Sequence, residues 1–139
     1  MNKILVDSNV VLDVLLDRKP HSLASSAVWA AVETKSVEGV LPAHAFTAIH
    51  YLIRKELGSS KALRMIASIL QVFGVAPVDH EVIRHALQLN SPDFEDAVSA
   101  ASAGRAGCDA IVTRDRKGFP DSPIRVLTPE SAAHLFSQR

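Results

Sequence analysis

Residues 3–13, KILVDSNVVLD, decide how the whole chain is read. Ile4, Leu5 and Val6 form a short apolar run with no polar alternation, as expected of a strand buried on both faces of a parallel sheet. The run stops at Asp7. A carboxylate there has two explanations: it caps a helix that starts near Val10, or it lines a crevice, because ligands of open parallel sheets bind beyond the carboxyl ends of the strands.

The rest of the chain extends the pattern. Leu23, Ala24, Ala27, Val28, Ala31 and Val32 recur at helical spacing behind Pro20, which suits a first helical turn. Residues 39–41 read as a second strand. Phe46, Ile49 and Ile53 mark a helix ending near Gly58, and Ser59 or Ser60 can cap a further helix with Leu63, Ile66, Leu70 and Phe73 on its apolar face. Val75 and Ala76 make a weak strand, after which Asp79 caps a helix through Val82, Ile83, Ala86 and Leu87. SPDFEDAVSAASAGRAG, residues 91–107, is an Ala-rich helix closed by Gly107; CDAIVTRD, residues 108–115, is a strand that again ends in polar residues. Residues 124–127 form another strand, and TPESAAHLF, residues 128–136, a capped terminal helix with Pro129 in its first turn. Strands alternating with helices imply parallel pairing through long crossovers, so the expected fold is α/β, three-layered, in a single domain over residues 1–139.

Composition narrows the function. With 47% hydrophobic and 22% charged residues the chain reads as globular, and Lys+Arg and Asp+Glu are both 15, so nucleic-acid binding must rest on a local patch or on metal ions. The single Cys108 provides no disulfide or thiolate metal framework and suits a reducing cytoplasm. No run approaches the roughly 20 apolar residues of a membrane span, so a soluble, unexported protein is expected.

Asp115 follows Ile111, Val112 and Thr113 as Asp7 follows Val6, which places both aspartates at the same crevice. Asp93 and Asp96 fall in the first turn of the Ala-rich helix. Asp93 or Ser91 can cap that helix, and first-turn carboxylates complement its dipole by about 0.3–1 kcal/mol. Asp96 has a further reason to be there, since a helix running back from the strand ends starts at the crevice. Asp13, one turn beyond Asn9, reads as an ion-pair partner. Carboxylates gathered on one crevice repel by about 4 kcal/mol per pair at roughly 4 Å and an effective dielectric near 20, so a cation is expected among them. An all-oxygen donor set favours Mg²⁺ or Mn²⁺, which polarises a phosphoryl oxygen and activates water. The six histidines show no close ligand spacing, and most of them read as surface or core imidazoles.

VDSNVVLD at 6–13, DFEDAVSAASA at 93–103 and IVTRD at 111–115, followed by Phe119, resemble in order and spacing the signature blocks of the PIN domain family. The resemblance implies a mostly parallel, roughly five-stranded sheet between helices, and Mg²⁺- or Mn²⁺-dependent cleavage of RNA. It also implies kinship to VapC-like toxins, which a partner antitoxin neutralises. Carried over, the metal-binding acids are Asp7, Asp96 and Asp115, with Asn9 and Thr113 orienting ligands and water. One departure stands out: the family's further Glu, expected near Thr47 or Ala48, is missing, and no acid lies between Glu38 and Glu56. Two readings follow: a ribonuclease in which Asp93 substitutes for the Glu, or a weakened or inactive RNA- or protein-binding module. Arg114, Arg116 and Lys117 are the candidate phosphate holders. A phosphatase or response-receiver domain is disfavoured because no Asp-x-Asp pair follows the first strand. The broad apolar arcs of the helices at 43–57 and 59–73, with Tyr51 and Leu52 beside Ile49 and Ile53, together with the pairing habits of PIN relatives, imply a homodimer.

Overall fold

The N-terminal apolar run becomes the middle of the sheet. In the computed structural model, which describes residues 1–120 and 122–139, β1 (Lys3–Val6) lies between β2 (Glu38–Pro42) and β4 (Ala110–Val112). β3 (Gly74–Ala76) and β5 (Arg125–Leu127) form the edges, giving the order β3-β2-β1-β4-β5. All four pairings are parallel, with Leu5 opposite Val40 and Val6 opposite Val112. The helices between them are α1 (Ser8–Leu15), α2 (Ser22–Glu33), α3 (Ala45–Leu57), α4 (Ser59–Val72), α5 (His80–Ala86) and α6 (Phe94–Arg105), and α7 (Pro129–Ser137) follows β5.

Side-chain alternation along the strands builds the three layers. Ile4, Val6, Leu41, Val112 and Leu127 face a core shared with Val28, Ile49, Ile53, Ile69 and Phe136. Leu5, Val40 and Ile111 face the opposite way, onto Ala100, Ala103 and Phe119. Ile4, Leu5 and Val6 are all fully buried, each worth about 1.5–3 kcal/mol in apolar burial, which is why so short a strand is well determined. The small residues of α6 let it lie close on the sheet, and Ala97, Val98 and Ala101 pack on Val82 and Ala86 of α5.

Several local signals act as expected. Asp79 Oδ1 accepts from Val82 N (3.0 Å), Thr128 Oγ1 accepts from Ser131 N (3.1 Å) behind Pro129, and Gly107, at φ 73°, ends α6. Others differ. Pro20 stands ahead of α2 rather than in its first turn, which begins at Ser22. Neither Ser59 nor Ser60 caps α4. Gly58, at φ 90°, ends α3 and starts α4 at once, so Ser59 is already helical. Leu23, Leu63, Leu70 and Leu87 are exposed, not core. Periodicity locates an apolar stripe but not its depth: α4 packs on α3, and only Ala62 and Ile69 of α4 become buried. Among the described residues no helix is long and apolar enough to cross a membrane.

Candidate active site

Asp7 continues the β1 ladder for one more bond, its N–H donating to Val112 O (2.9 Å), before the chain turns into α1. Its carboxylate accepts from Ser8 N at Oδ1 (2.8 Å) and from Thr113 Oγ1 (2.7 Å) and Asn9 Nδ2 (3.4 Å) at Oδ2. Thr113 is buried and extends β4, its N–H donating to Leu127 O (2.9 Å); its Oγ1 also accepts from Asp115 N (3.0 Å). Asn9 Oδ1 accepts from Arg114 N at 3.5 Å. Both explanations of Asp7 therefore have a basis: it caps α1, and it stands at the carboxyl edge of the sheet, tied by neutral donors to the end of β4. Asn9 and Thr113 are the residues that fix its orientation.

Asp13 is fully buried and holds a different kind of contact. Arg114 grips it with two prongs, Nε to Oδ2 at 2.7 Å and Nη2 to Oδ1 at 3.2 Å, while Ser25 Oγ donates to Oδ2 (3.3 Å) and Arg18 lies at 3.9 Å. The ion-pair reading of Asp13 is therefore correct. The expectation that Arg114 holds phosphate needs correcting, because its guanidinium fork is engaged on Asp13 and pins the end of β4 to α1. Arg116 and Lys117 are exposed on a 3-10 turn (Arg116–Gly118) directly after Asp115.

Asp96 enters from α6. Burial, then the charges of Asp7, Asp93, Asp115 and Glu95, push its carboxyl up to about 7. Asp7 is raised as well, chiefly by burial and further by Asp115, against the lowering effect of its bonds to Thr113 and Ser8. The acids singled out in the sequence are thus brought within electrostatic reach of one another. Asp93 is the N-cap of α6, its Oδ1 accepting from Glu95 N (2.8 Å) and Asp96 N (3.4 Å). Because Asn caps helices about as well as Asp, Asp93→Asn should leave the melting temperature within about 1–2 °C of wild type. A loss of metal-dependent cleavage in that folded variant identifies a role for the charge; unchanged turnover at limiting Mg²⁺ leaves Asp93 as a cap alone.

A divalent cation fits this donor set by charge and by chemistry. Among the described residues none of Asp7, Asp96 and Asp115 forms an ion pair, although each faces the charge of another. The carboxylates do not already enclose a site: among the described residues no three Asp, Glu, His or Cys side chains stand as a ready metal cluster. Asp96 is packed against the turn, for a Cβ built on Gly118 would lie 2.1 Å from its Oδ2. Gly118→Ala should displace the Asp96 carboxylate and weaken Mn²⁺ binding about tenfold or more, with little loss of apo stability because the side chain can swing away. Unaltered Mn²⁺ affinity in that variant would show that Asp96 takes no part in metal binding.

Sequence reasoning missed one residue here. His44 sits at the start of α3, near enough to Asp7 to lower its pKa through its charge, and its Nε2 lies 3.5 Å from Ser99 Oγ on α6. Among the described residues its Nδ1 is the buried side-chain atom that has no hydrogen-bond partner. The histidines lack paired ligand spacing, so the sequence alone does not single out His44. The useful signal was positional, since His44 is the second residue past the end of β2, at the same edge of the sheet as Asp7, the first past the end of β1.

A parallel α/β sheet with aspartates gathered beyond the carboxyl ends of β1 and β4 is the class of protein that these features define. Within that class the chain belongs to the PIN domain family, which matches residues 3–117. It is similar to FitAcB from Neisseria gonorrhoeae (22% identity, TM-score 0.73, covering 91% of this chain and 97% of that one). It is also similar to VapBC2 from Rickettsia felis bound to a DNA fragment from their promoter (11% identity, TM-score 0.70, 91% and 98%). VapC20 of Mycobacterium tuberculosis, a sarcin-ricin loop cleaving toxin, aligns at 18% identity with a TM-score of 0.67, covering 81% and 90%. No curated protein matches the sequence. At these identities the structural likeness establishes the fold.

Proposed function

We propose that this protein is a PIN-family endoribonuclease in which Asp7, Asp96 and Asp115 hold a Mg²⁺ or Mn²⁺ ion, as the toxin of a toxin-antitoxin pair. The observation that carries the reading is that Asp7, Asp96 and Asp115, from separate segments, lie within charge reach of one another while the adjacent guanidinium, Arg114, is turned onto Asp13. A cation bound there supplies a Lewis acid for a phosphoryl oxygen and lowers the pKa of a water. The chain's own contribution is positional: Thr113 and Asn9 aim Asp7, Gly118 seats Asp96, and exposed Arg116 and Lys117 are placed to contact backbone phosphates. Phe94, half-exposed in the first turn of α6, offers a base-stacking surface beside Asp93.

The structural neighbours support the biological setting: one is a toxin that cleaves the sarcin-ricin loop, and another is a toxin-antitoxin complex from Klebsiella pneumoniae. An antitoxin and cytoplasmic RNA are the corresponding partners here. Tyr51, Leu52, Leu57, Leu63 and Leu70 expose apolar surface on α3 and α4, and a homodimer through that face is part of the proposal. Light scattering at micromolar concentration should give twice the mass of the chain, whereas a monomer mass would refute the pairing.

The test of the enzymatic reading is cleavage of a mixed RNA pool by purified protein with Mn²⁺, with chelator, and with Asp115→Asn. Cutting that requires both the metal and Asp115 supports it. The binding-module reading is favoured by the missing acid between Glu38 and Glu56, and it predicts RNA or antitoxin binding without any metal-dependent cutting.

A further inference from the structure

β2 lies beside β1, and two residues separate its last residue, Pro42, from α3. That short connection puts His44 beyond the carboxyl end of β2, next to the edge from which Asp7 projects. Across the crevice its ring meets α6 at Ser99, one helical turn after Asp96. The imidazole thus lies within charge reach of Asp7 and against α6 one turn beyond Asp96.

The ring nitrogens differ in their surroundings. Nε2 has Ser99 Oγ within 3.5 Å, whereas Nδ1 is buried and has no hydrogen-bond partner among the described residues. Buried polar atoms are as a rule partnered, and one that is not calls for an explanation. In the tautomer that carries its proton on Nε2, donating to Ser99, Nδ1 keeps a free lone pair, which is the form in which imidazole binds a metal. A hydrogen bond from the second ring nitrogen to a protein oxygen is also the usual companion of a metal-bound histidine. Meanwhile the first turns of α3 offer no carboxylate, since no acid lies between Glu38 and Glu56.

We infer that His44 supplies a nitrogen ligand, through Nδ1, to the divalent ion held by Asp7, Asp96 and Asp115, at the side of the crevice where α3 carries no acid. The inference rests on the carboxylate centre proposed above and adds a ligand of different chemistry. One consequence is metal preference. Imidazole favours Mn²⁺ and later transition ions over Mg²⁺, so the site should bind Mn²⁺ distinctly more tightly than Mg²⁺.

Pulsed electron-spin spectroscopy of Mn²⁺ bound to the chelator-stripped protein reads the ligand directly. The expected result is a nitrogen modulation in wild type that disappears in His44→Ala, together with Mn²⁺ affinity weakened about tenfold or more and Mg²⁺ affinity changed less. His44→Gln, which keeps a polar side chain at the start of α3, guards against a folding defect in the Ala variant and should lose the modulation too. Bound Mn²⁺ without nitrogen modulation, or modulation that survives either substitution, overturns the inference and leaves the carboxylate centre standing. No Mn²⁺ binding by wild type at all would remove the carboxylate centre and the inference with it.

Discussion

Replacing Asp96 by Asn should abolish metal-dependent cleavage and at the same time raise the melting temperature of the metal-free protein. Among the described residues the Asp96 side chain makes no hydrogen bond that Asn would lose, and it faces the charges of Asp7 and Asp115 across the crevice and of Asp93 and Glu95 beside it. Removing its charge relieves that repulsion by about 1 kcal/mol, or roughly 3–5 °C in melting temperature. Asp7→Asn should stabilise less, since an amide cannot accept from both Ser8 N and Thr113 Oγ1 as the carboxylate does. The pH dependence has a definite sign. With its carboxyl pushed up to about 7, folded Asp96 holds a proton between about pH 4 and 7 that the unfolded chain has already released, so the metal-free fold gains stability as pH falls through that window. The raised Asp7 acts in the same direction. In Asp96→Asn the slope should flatten, and saturating Mn²⁺, which stabilises only the native state by favouring the ionised acids, should reverse the trend in wild type. Lower stability of metal-free Asp96→Asn than of wild type at pH 8 would contradict the account of repelling acids.

The second large effect is structural. Asp13→Ala removes a fully buried carboxylate and leaves the Arg114 fork without its partner, while Ser25 and Arg18 lose a contact as well. Breaking one side of a buried pair costs about 3–5 kcal/mol, and because the Arg114 side chain is 29% exposed and can turn to water, about 3 kcal/mol is expected here. Equilibrium urea unfolding measures it: the midpoint should fall with an unchanged slope. Cleavage should fall too in the fraction that folds, because Arg114 lies between Thr113 and Asp115 and its N–H bonds Asn9. A midpoint within about 0.3 M of wild type would show that the Asp13–Arg114 pair is dispensable to the fold.

The parts of this molecule that were legible in its sequence depend on local chemistry. A run such as Ile4-Leu5-Val6 is buried wherever it sits, and Asp79, Gly107 and Thr128-Pro129 set helix ends through bonds to nearby residues. The aspartates could be placed because a parallel sheet directs the ends of all its strands to one edge. What could not be read depends on partners distant in sequence. Arg114 reads as an exposed basic residue until α1 brings Asp13 to it from 101 positions away. Leu63 and Leu70 look like core until α4 is seen to pack on α3 with only Ala62 and Ile69 turned inward. The seat of Asp96 on Gly118 and the place of His44 between Asp7 and Ser99 both arise from loops that only the assembled sheet brings together.

The central claim is that Asp7, Asp96 and Asp115 form one divalent-cation site. Calorimetric titration of Mn²⁺ into chelator-stripped wild type and into Asp7→Asn, Asp96→Asn and Asp115→Asn tests it most directly. The account predicts saturable binding to wild type that weakens at least about a hundredfold in each variant, a loss of about 2.7 kcal/mol. Binding that is absent from wild type, or that persists undiminished in any of the three folded variants, would contradict it.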